Sequence, residues 1–325
     1  MSQACKILQA SDENIDLCVD LLRDEAVVSV PTETVYGLAG NALKEVSLRK
    51  IFEVKGRPML DPLIVHFSSI EQAEIHAEFN ERARALAVQF WPGALTLVLP
   101  KKDTISDLVT AALPSVAVRI PEHPIFRSLL QRLDFPLAAP SANPFGYVSP
   151  TLAEHVAATL GDRILAVIDG GACKHGVEST IVDLRDPDAP KILRPGPLSA
   201  EQLSVQDVEM ELKQGSNKLA QDAPGMLTQH YSPNTPITLF GHDEQPNNVQ
   251  KSEAVLYNTK PAGKVAENTF WLSESGDLTE IAHNLFMLIQ KLDIRDYSQL
   301  QVERAEHVDI GVAVNDRLGR AAARR

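Results

Sequence analysis

The chain reads as an α/β protein in two unequal parts, a large domain with a mixed sheet and then a smaller α/β unit. Three observations predict this. Short runs rich in Val, Ile and Leu, bounded by Pro, Gly or charge, recur through the first two-thirds and have the composition of strands. Segments with apolar residues at helical spacing lie between several of them. A polar stretch then breaks the pattern before strands and a helix resume. Strands interleaved with helices imply a sheet covered by helices.

In order, the strand-like runs of the first part are 26–30, 63–67, 95–99, 116–120, 137–139, 165–168 and 180–184, with a short run at Ile192-Leu193. The spacing predicts a helix over 45–54, with Leu48, Ile51 and Phe52 on one face. It predicts another over 80–90, with Ala83, Leu86, Ala87 and Phe90 together and Asn80 as the N-cap. Pro195-Gly196-Pro197 closes the part, and a helix-like stretch over 199–213 follows. Residues 214–222 are polar and have no apolar face. Ala223-Pro224-Gly225-Met226 and His230-Tyr231-Ser232-Pro233 then carry aromatic and ionisable side chains that a bland tether does not need. Strands are expected over 237–240, 254–257 and 269–272. A helix is expected over 278–292, with Ile281, Leu285, Leu288, Ile289 and Leu292 on one face. The expected division is a first domain over 1–205, a linker over 206–234 and a second domain over 235–325.

Composition narrows the functions. A chain of 325 residues suits two domains. A net charge of -12 disfavours non-specific binding to nucleic acid or to a membrane, which needs basic surface. Cys5, Cys18 and Cys173 form no C-x-x-C pair, so neither a disulfide framework nor a structural zinc site is expected. No apolar run approaches the ~20 residues that span a bilayer, and no apolar segment follows Met1. A cytoplasmic protein without membrane contact is the expectation. There is no G-x-G-x-x-G. Gly171 and Gly176 have P-loop spacing, but Val177-Glu178 follows instead of Lys-Ser/Thr. H-E-x-x-H and G-x-S-x-G are also missing.

Two loop segments nevertheless suggest a site for a phosphorylated ligand. Val54-Lys55-Gly56-Arg57-Pro58 and Ala139-Pro140-Ser141-Ala142-Asn143 each follow a regular element and end it with Gly or Pro. Lys55 either binds phosphate or compensates the C-terminal dipole of its helix. Arg57 is a site residue or a solvated loop arginine. Arg119 interrupts the apolar run Val116-Ala117-Val118-Arg119-Ile120, so it faces either a polar pocket or an outer edge. Arg194 is a ligand group or an exposed strand end. His66, inside Leu63-Ile64-Val65-His66-Phe67, is a ligand or a satisfied core histidine. Ser179 and Thr180, like Thr32 and Thr34, donate either to a ligand or within turns.

Taken in order, Pro31-Thr32-Glu33-Thr34-Val35-Tyr36-Gly37, Lys55-Gly56-Arg57-Pro58, Pro62-Leu63-Ile64-Val65-His66, Trp91-Pro92-Gly93, Val118-Arg119-Ile120-Pro121, Ser141-Ala142-Asn143 and Gly176-Val177-Glu178-Ser179-Thr180 resemble the YrdC-like family. His230-Tyr231-Ser232-Pro233 and Ala313-Val314-Asn315-Asp316-Arg317-Leu318 resemble its longer, two-domain threonylcarbamoyl-AMP synthases. The resemblance implies a twisted mixed sheet with an open cationic cavity and a Rossmann-like C-terminal domain. It implies a nucleotidyltransferase that makes threonylcarbamoyl-AMP and pyrophosphate from L-threonine, bicarbonate and ATP. Downstream transferase proteins would carry the group to tRNA, and a weak tRNA contact is a further expectation. Threonine would meet Thr34, His66, Arg119, Ala139 and Ser179. ATP would meet Lys55, Arg57, Asp61, Ser115, Ser141, Asn143, Ser149, Arg194 and Tyr231, with Lys55 and Arg57 as the catalytic cations. Mg²⁺ would arrive on the phosphates, with no protein metal site. Asp61 stands where many members have Asn. The rival reading is an RNA-binding module of the same fold that forms no adenylate.

Overall fold

The computed structural model describes residues 5–203, 225, 230–242 and 244–323. In the first part the strands are β1 (Lys6–Gln9), β2 (Val28–Val30), β3 (Gly37–Asn41), β4 (Ile64–His66), β5 (Leu95–Pro100), β6 (Ser115–Arg119), β7 (Leu137–Ala138), β8 (Ala166–Asp169), β9 (Thr180–Asp183) and β10 (Lys191–Arg194). The helices are α1 (Asp12–Arg23), α2 (Glu45–Lys55), α3 (Ile70–Glu74), α4 (Glu81–Phe90), α5 (Asp107–Thr110), α6 (Pro124–Arg132) and α7 (Ala153–Leu160). The strands join into one mixed sheet of order β1-β8-β2-β3-β7-β4-β6-β5-β9-β10. The expected α/β fold with a mixed sheet is the one observed.

Alternation along the strands explains where a site can form, because successive side chains point to opposite faces. On one face Val65, Leu95, Leu97, Leu99, Val116 and Val118 join α2, α4 and α7 in the largest core. The other face is divided. Over β2, β3, β7 and β8 it is covered by α1 and α6, through Cys18, Leu22, Phe126 and Leu129. Over β4, β6, β5, β9 and β10 only a thin apolar layer of Ile64, Val98, Ala117, Ile181 and Leu193 lies on it. His66 and Arg119 are register partners across the parallel β4–β6 pair, so they stand side by side on this second face.

The second part holds β11 (Ile237–Phe240), β12 (Glu253–Thr259), β13 (Thr269–Ser273), α8 (Leu278–Asp293), β14 (Gln299–Glu303) and α9 (Asp309–Ala322). Its sheet has the order β11-β14-β12-β13 with every pair parallel, a Rossmann-like arrangement. Helices α8 and α9 pack through Ile281, Leu285, Phe286, Val314 and Leu318, and the same core takes in Val35, Val148, Val177 and Tyr231 from outside this domain. Gln290 Nε2 donates to Ser149 O at 2.9 Å, and Tyr147 Oη donates to Asp293 Oδ2 at 2.6 Å. The two parts therefore meet through both apolar and polar contacts.

Several elements go beyond the sequence expectations. Asn80 caps α4 as expected, accepting from Ala83 N at 2.8 Å. Helix α1 is capped by Ser11, which accepts from Asn14 N at 3.2 Å. Strand β3 has two glycines in five residues, a composition that argues against a strand. It is central all the same, because a Cβ on Gly40 would come within 3.1 Å of Ile51 and one on Gly37 within 3.3 Å of Ala139. Of the expected helix over 199–213, residues 200–203 form a turn and 204–213 lie outside the described residues. The linker residues 206–224 and 226–229 also lie outside them.

Candidate functional site

A cavity of about 40 Å³ lies over the thinly covered half of the sheet. Ile64, His66, Arg119 and Arg194 come from strands. Thr32, Thr34, Val35 and Gly37 come from the β2–β3 turn and the start of β3. Arg57 follows α2, Ala139, Pro140 and Ser141 follow β7, and Glu178 precedes β9. Gly225, His230 and Tyr231 of the linker complete the lining.

The turn is built around Thr32. Its hydroxyl accepts from Thr34 N at 3.0 Å and from Val35 N at 3.1 Å and donates to Val35 O at 2.6 Å. This fixes Thr34 Oγ1 at 3.1 Å from both Nη1 and Nη2 of Arg119. Arg119 Nε donates to Gly93 O at 3.1 Å, and Nη2 meets Glu33 Oε1 at 2.6 Å. Both charged side chains are almost wholly buried. Burial pushes the Glu33 carboxyl up, but the charge and hydrogen bond of Arg119 outweigh it and hold the group below its usual range.

His66 is buried beside this pair, 5.1 Å from the Phe126 ring. Burial, reinforced by Arg119, pushes its pKa down to about 3, so the imidazole is neutral. Its Nδ1 has no hydrogen-bond partner among the described residues. Arg194 Nε donates to Ser179 O at 3.1 Å and Nη2 to Ser179 Oγ at 3.0 Å, and Ser179 Oγ is 2.8 Å from Thr96 Oγ1.

Gly56 ends α2 at φ +62°, a left-handed cap that glycine takes without strain, and the chain turns so that Arg57 faces inward. Arg57 Nη2 meets Asp61 Oδ2 at 2.9 Å and Pro62 O at 2.8 Å, while Nε donates to Asp61 O at 3.1 Å. Burial pushes the Asp61 carboxyl up against the pull of Arg57, Lys55 and Arg194. Lys55 stands behind the wall. Its Nζ donates to Ser141 O and Asn143 O, each at 2.6 Å. Burial, followed by repulsion from Arg57, depresses its pKa well below the usual value.

Of the described linker residues, His230 and Tyr231 are almost wholly buried. Tyr231 adopts φ +64°, an unfavourable conformation for a bulky residue, and its ring stacks on Phe286 at 5.6 Å. His230 packs edge-on against Tyr231 at 4.1 Å. His230 Nδ1 and Tyr231 Oη lack hydrogen-bond partners among the described residues. Burial, then Arg57 and Lys55, hold the His230 imidazole well below its usual pKa.

Of the candidate residues, the cavity brings together Thr34, Arg57, His66, Arg119, Ala139, Ser141, Arg194 and Tyr231. Lys55, Asp61, Ser115, Asn143, Ser149 and Ser179 are buried without lining it. Sequence reasoning assigned no role to Glu33 or Glu178, the acids that pair with buried arginines. The signal was present, since inward arginines require counter-ions. Among the described residues no group of three or more His, Cys, Asp or Glu could hold a metal ion. No helix there is long and apolar enough to cross a membrane.

The family model described as "Telomere recombination", for Sua5, YciO and YrdC proteins, matches residues 20–196. The model described as "Threonylcarbamoyl-AMP synthase, C-terminal domain" matches residues 198–323. The threonylcarbamoyl-AMP synthase of Pyrococcus abyssi is 38% identical over 96% of this chain and 94% of its own. That of Bacillus subtilis is 37% identical over 98% of this chain and 95% of its own. The crystal structure of P. abyssi Sua5 complexed with L-threonine superposes with a TM-score of 0.89 at 36% identity, covering 98% of this chain and 97% of that one. With the catalytic-type fold and the C-terminal domain both matched, the chain belongs to the Sua5/YciO/YrdC family, in the two-domain form of the threonylcarbamoyl-AMP synthases.

Proposed function

We propose that this protein is a threonylcarbamoyl-AMP synthase, which joins L-threonine, bicarbonate-derived CO₂ and ATP into threonylcarbamoyl-adenylate and releases pyrophosphate. One observation carries the reading beyond family membership. His66 Nδ1, His230 Nδ1 and Tyr231 Oη are buried polar atoms without hydrogen-bond partners among the described residues, and all three residues line the cavity that holds Arg57, Arg119 and Arg194. Such groups are costly unless a ligand satisfies them.

The geometry supports a division of labour. The Arg119 guanidinium pairs with the threonine carboxylate, a planar fork being suited to that group. Thr34, neutral His66 and the Ala139 backbone fix the rest of the amino acid, and Ser179 acts from behind the wall by holding Arg194. The threonine amine attacks CO₂, loses a proton and becomes a carbamate. A carbamate oxygen then attacks the α-phosphorus, and pyrophosphate leaves. Arg57 and Arg194 hold the phosphates. Lys55 keeps the 141–143 loop in place, and Ser141 lines the nucleotide side, with Ser115, Asn143 and Ser149 supporting that wall from behind. Catalysis then comes from positioning and charge stabilisation. Mg²⁺ suits the phosphates better than a protein cage, given the donor set, and would neutralise their charge. Asp61 lies behind Arg57, paired with it at 2.9 Å, and does not line the cavity.

A cavity of about 40 Å³ is far below the ~300 Å³ or more of ordinary ligand pockets. We infer that ATP entry moves the linker residues His230 and Tyr231 at the cavity wall, and that their return shields the labile mixed anhydride from water. The product would pass to a transferase acting on tRNA in the cytoplasm. The test is pyrophosphate release from ATP with threonine and bicarbonate. Release that requires all three supports the assignment. RNA binding with no such release would favour the RNA-binding alternative, which a net charge of -12 already disfavours.

A further inference from the structure

Helix α9 of the smaller domain carries Arg317, whose side chain is completely buried. Its Nε donates to Glu178 Oε2 at 2.7 Å, Nη1 to Asp316 Oδ2 at 2.5 Å and Nη2 to Pro195 O at 3.0 Å. The guanidinium carbon lies 5.3 Å from the centre of the Tyr231 ring. Glu178 and Tyr231 both line the cavity, and Pro195 directly follows Arg194, which also lines it. One side chain from the second domain thus reaches three parts of the cavity wall.

Simple domain adhesion does not require this. Replacing a buried ion pair with well-packed apolar groups is often neutral or stabilising, so adhesion alone gives no reason for a buried charge. The partners also have little freedom of their own. The other Glu178 oxygen accepts from Ser149 Oγ at 2.5 Å. Against the cost of burial, Arg317 and then Arg194 hold the Glu178 carboxyl below its usual range. Nearby Gly176 sits at φ +74°, where a Cβ would meet Ala282 O of α8 at 2.4 Å, so this loop is pressed against the second domain. Tyr231, at φ +64°, needs surrounding contacts to keep so strained a backbone, and it receives them from Phe286 and Arg317.

We propose that Arg317 is a positioning residue for adenylate formation, acting from the smaller domain to set Glu178, the end of β10 and Tyr231 around the nucleotide. The smaller domain is thereby part of the working site. This rests on the reading of the cavity as the threonylcarbamoyl-AMP site.

The test uses the full-length wild type, Glu178→Gln, Glu178→Gln/Arg317→Met and Arg317→Lys. Arg317→Met alone would leave Glu178 charged and unpaired and could unfold the protein, whereas the double variant removes both charges. Melting temperature, kcat and KM for ATP from pyrophosphate release, and ATP and threonine affinities from calorimetry are measured. The double variant should melt close to Glu178→Gln, yet its kcat/KM for ATP should fall at least about tenfold further, the scale of a misplaced contact. Threonine affinity should fall less than ATP affinity. Arg317→Lys keeps a charge for Glu178 but loses the planar fork, and should remain folded with a raised KM for ATP. Equal kinetics for the double variant and Glu178→Gln, or wild-type kinetics for Arg317→Lys, overturn the proposal. If the wild type releases no threonine-dependent pyrophosphate, the assigned reaction fails instead. The ATP affinities of the variants then still decide the role of Arg317, a split supporting it and equality refuting it.

Discussion

Replacing Glu33 by Gln tests the amino-acid half of the site most sharply. Glu33 Oε1 and Arg119 Nη2 are 2.6 Å apart, with side chains 3% and 4% exposed. Leaving one charge of such a pair unpaired typically costs about 3–5 kcal/mol. Gln retains an oxygen that accepts from Nη2, so the loss should fall near the lower end, about 3 kcal/mol. The threonine carboxylate is proposed to bind this same guanidinium and would supply the missing negative charge. Threonine should therefore stabilise the variant more than the wild type. If it restores about 1.4 kcal/mol of the loss, its affinity rises about tenfold. Urea denaturation of both proteins, with and without saturating threonine, reads each quantity. A variant within about 0.5 kcal/mol of the wild type, the range of an ordinary surface change, would refute the buried-pair argument. A variant that gains no more from threonine than the wild type does would refute the carboxylate assignment.

Three further outcomes are expected. Arg57→Ala should weaken ATP binding by about 1.5–3 kcal/mol, the scale of a charge-assisted hydrogen bond, and leave threonine binding unchanged in calorimetry; the reverse pattern would exchange the two ends of the site. His66 is a base whose folded pKa, about 3, lies below its usual 6.5, so its contribution is fully present above 6.5 and declines as pH falls toward the folded value. His230 is shifted in the same direction. His66 should cost about 1.4 kcal/mol of stability per pH unit in that window, and His66→Gln should flatten the stability profile by that slope, whereas parallel profiles would contradict it. Threonine should outperform valine by at least about 100-fold in pyrophosphate release, because a site paired to a hydroxyl rejects an analogue without one; equal turnover would remove His66 from the threonine site.

The legible parts of the fold were those whose burial follows a simple period. The apolar runs at β4, β5, β6 and β9 and the face of α4 fall into this group, because each buries a face against one core. Strand β3 was hidden because its Gly-Leu-Ala-Gly-Asn sequence is selected by close approach to Ile51 and Ala139 and not by strand propensity. Helix α9 was hidden because Gly311 and Gly319 break its composition, although Ala313, Val314 and Leu318 are buried on one side. In the site, Arg119 stood out as a charge inside an apolar strand. Its partner Glu33 did not, since a loop acid next to two threonines looks like ordinary turn chemistry. Lys55 could be read from sequence as a phosphate ligand or a helix-end cation. In the structure its ammonium donates to two loop carbonyls, a contact across eighty-six and eighty-eight residues that no local pattern encodes.

The central claim is the chemical identity of the product. The full-length protein, incubated with ATP, Mg²⁺, L-threonine and heavy-carbon bicarbonate, should yield a species with the mass of threonylcarbamoyl-adenylate carrying the heavy carbon, in step with pyrophosphate. Fragmentation should place that carbon between threonine and AMP. Pyrophosphate release accompanied only by unlabelled threonyl-adenylate, or by no threonine-containing adenylate, would contradict the account.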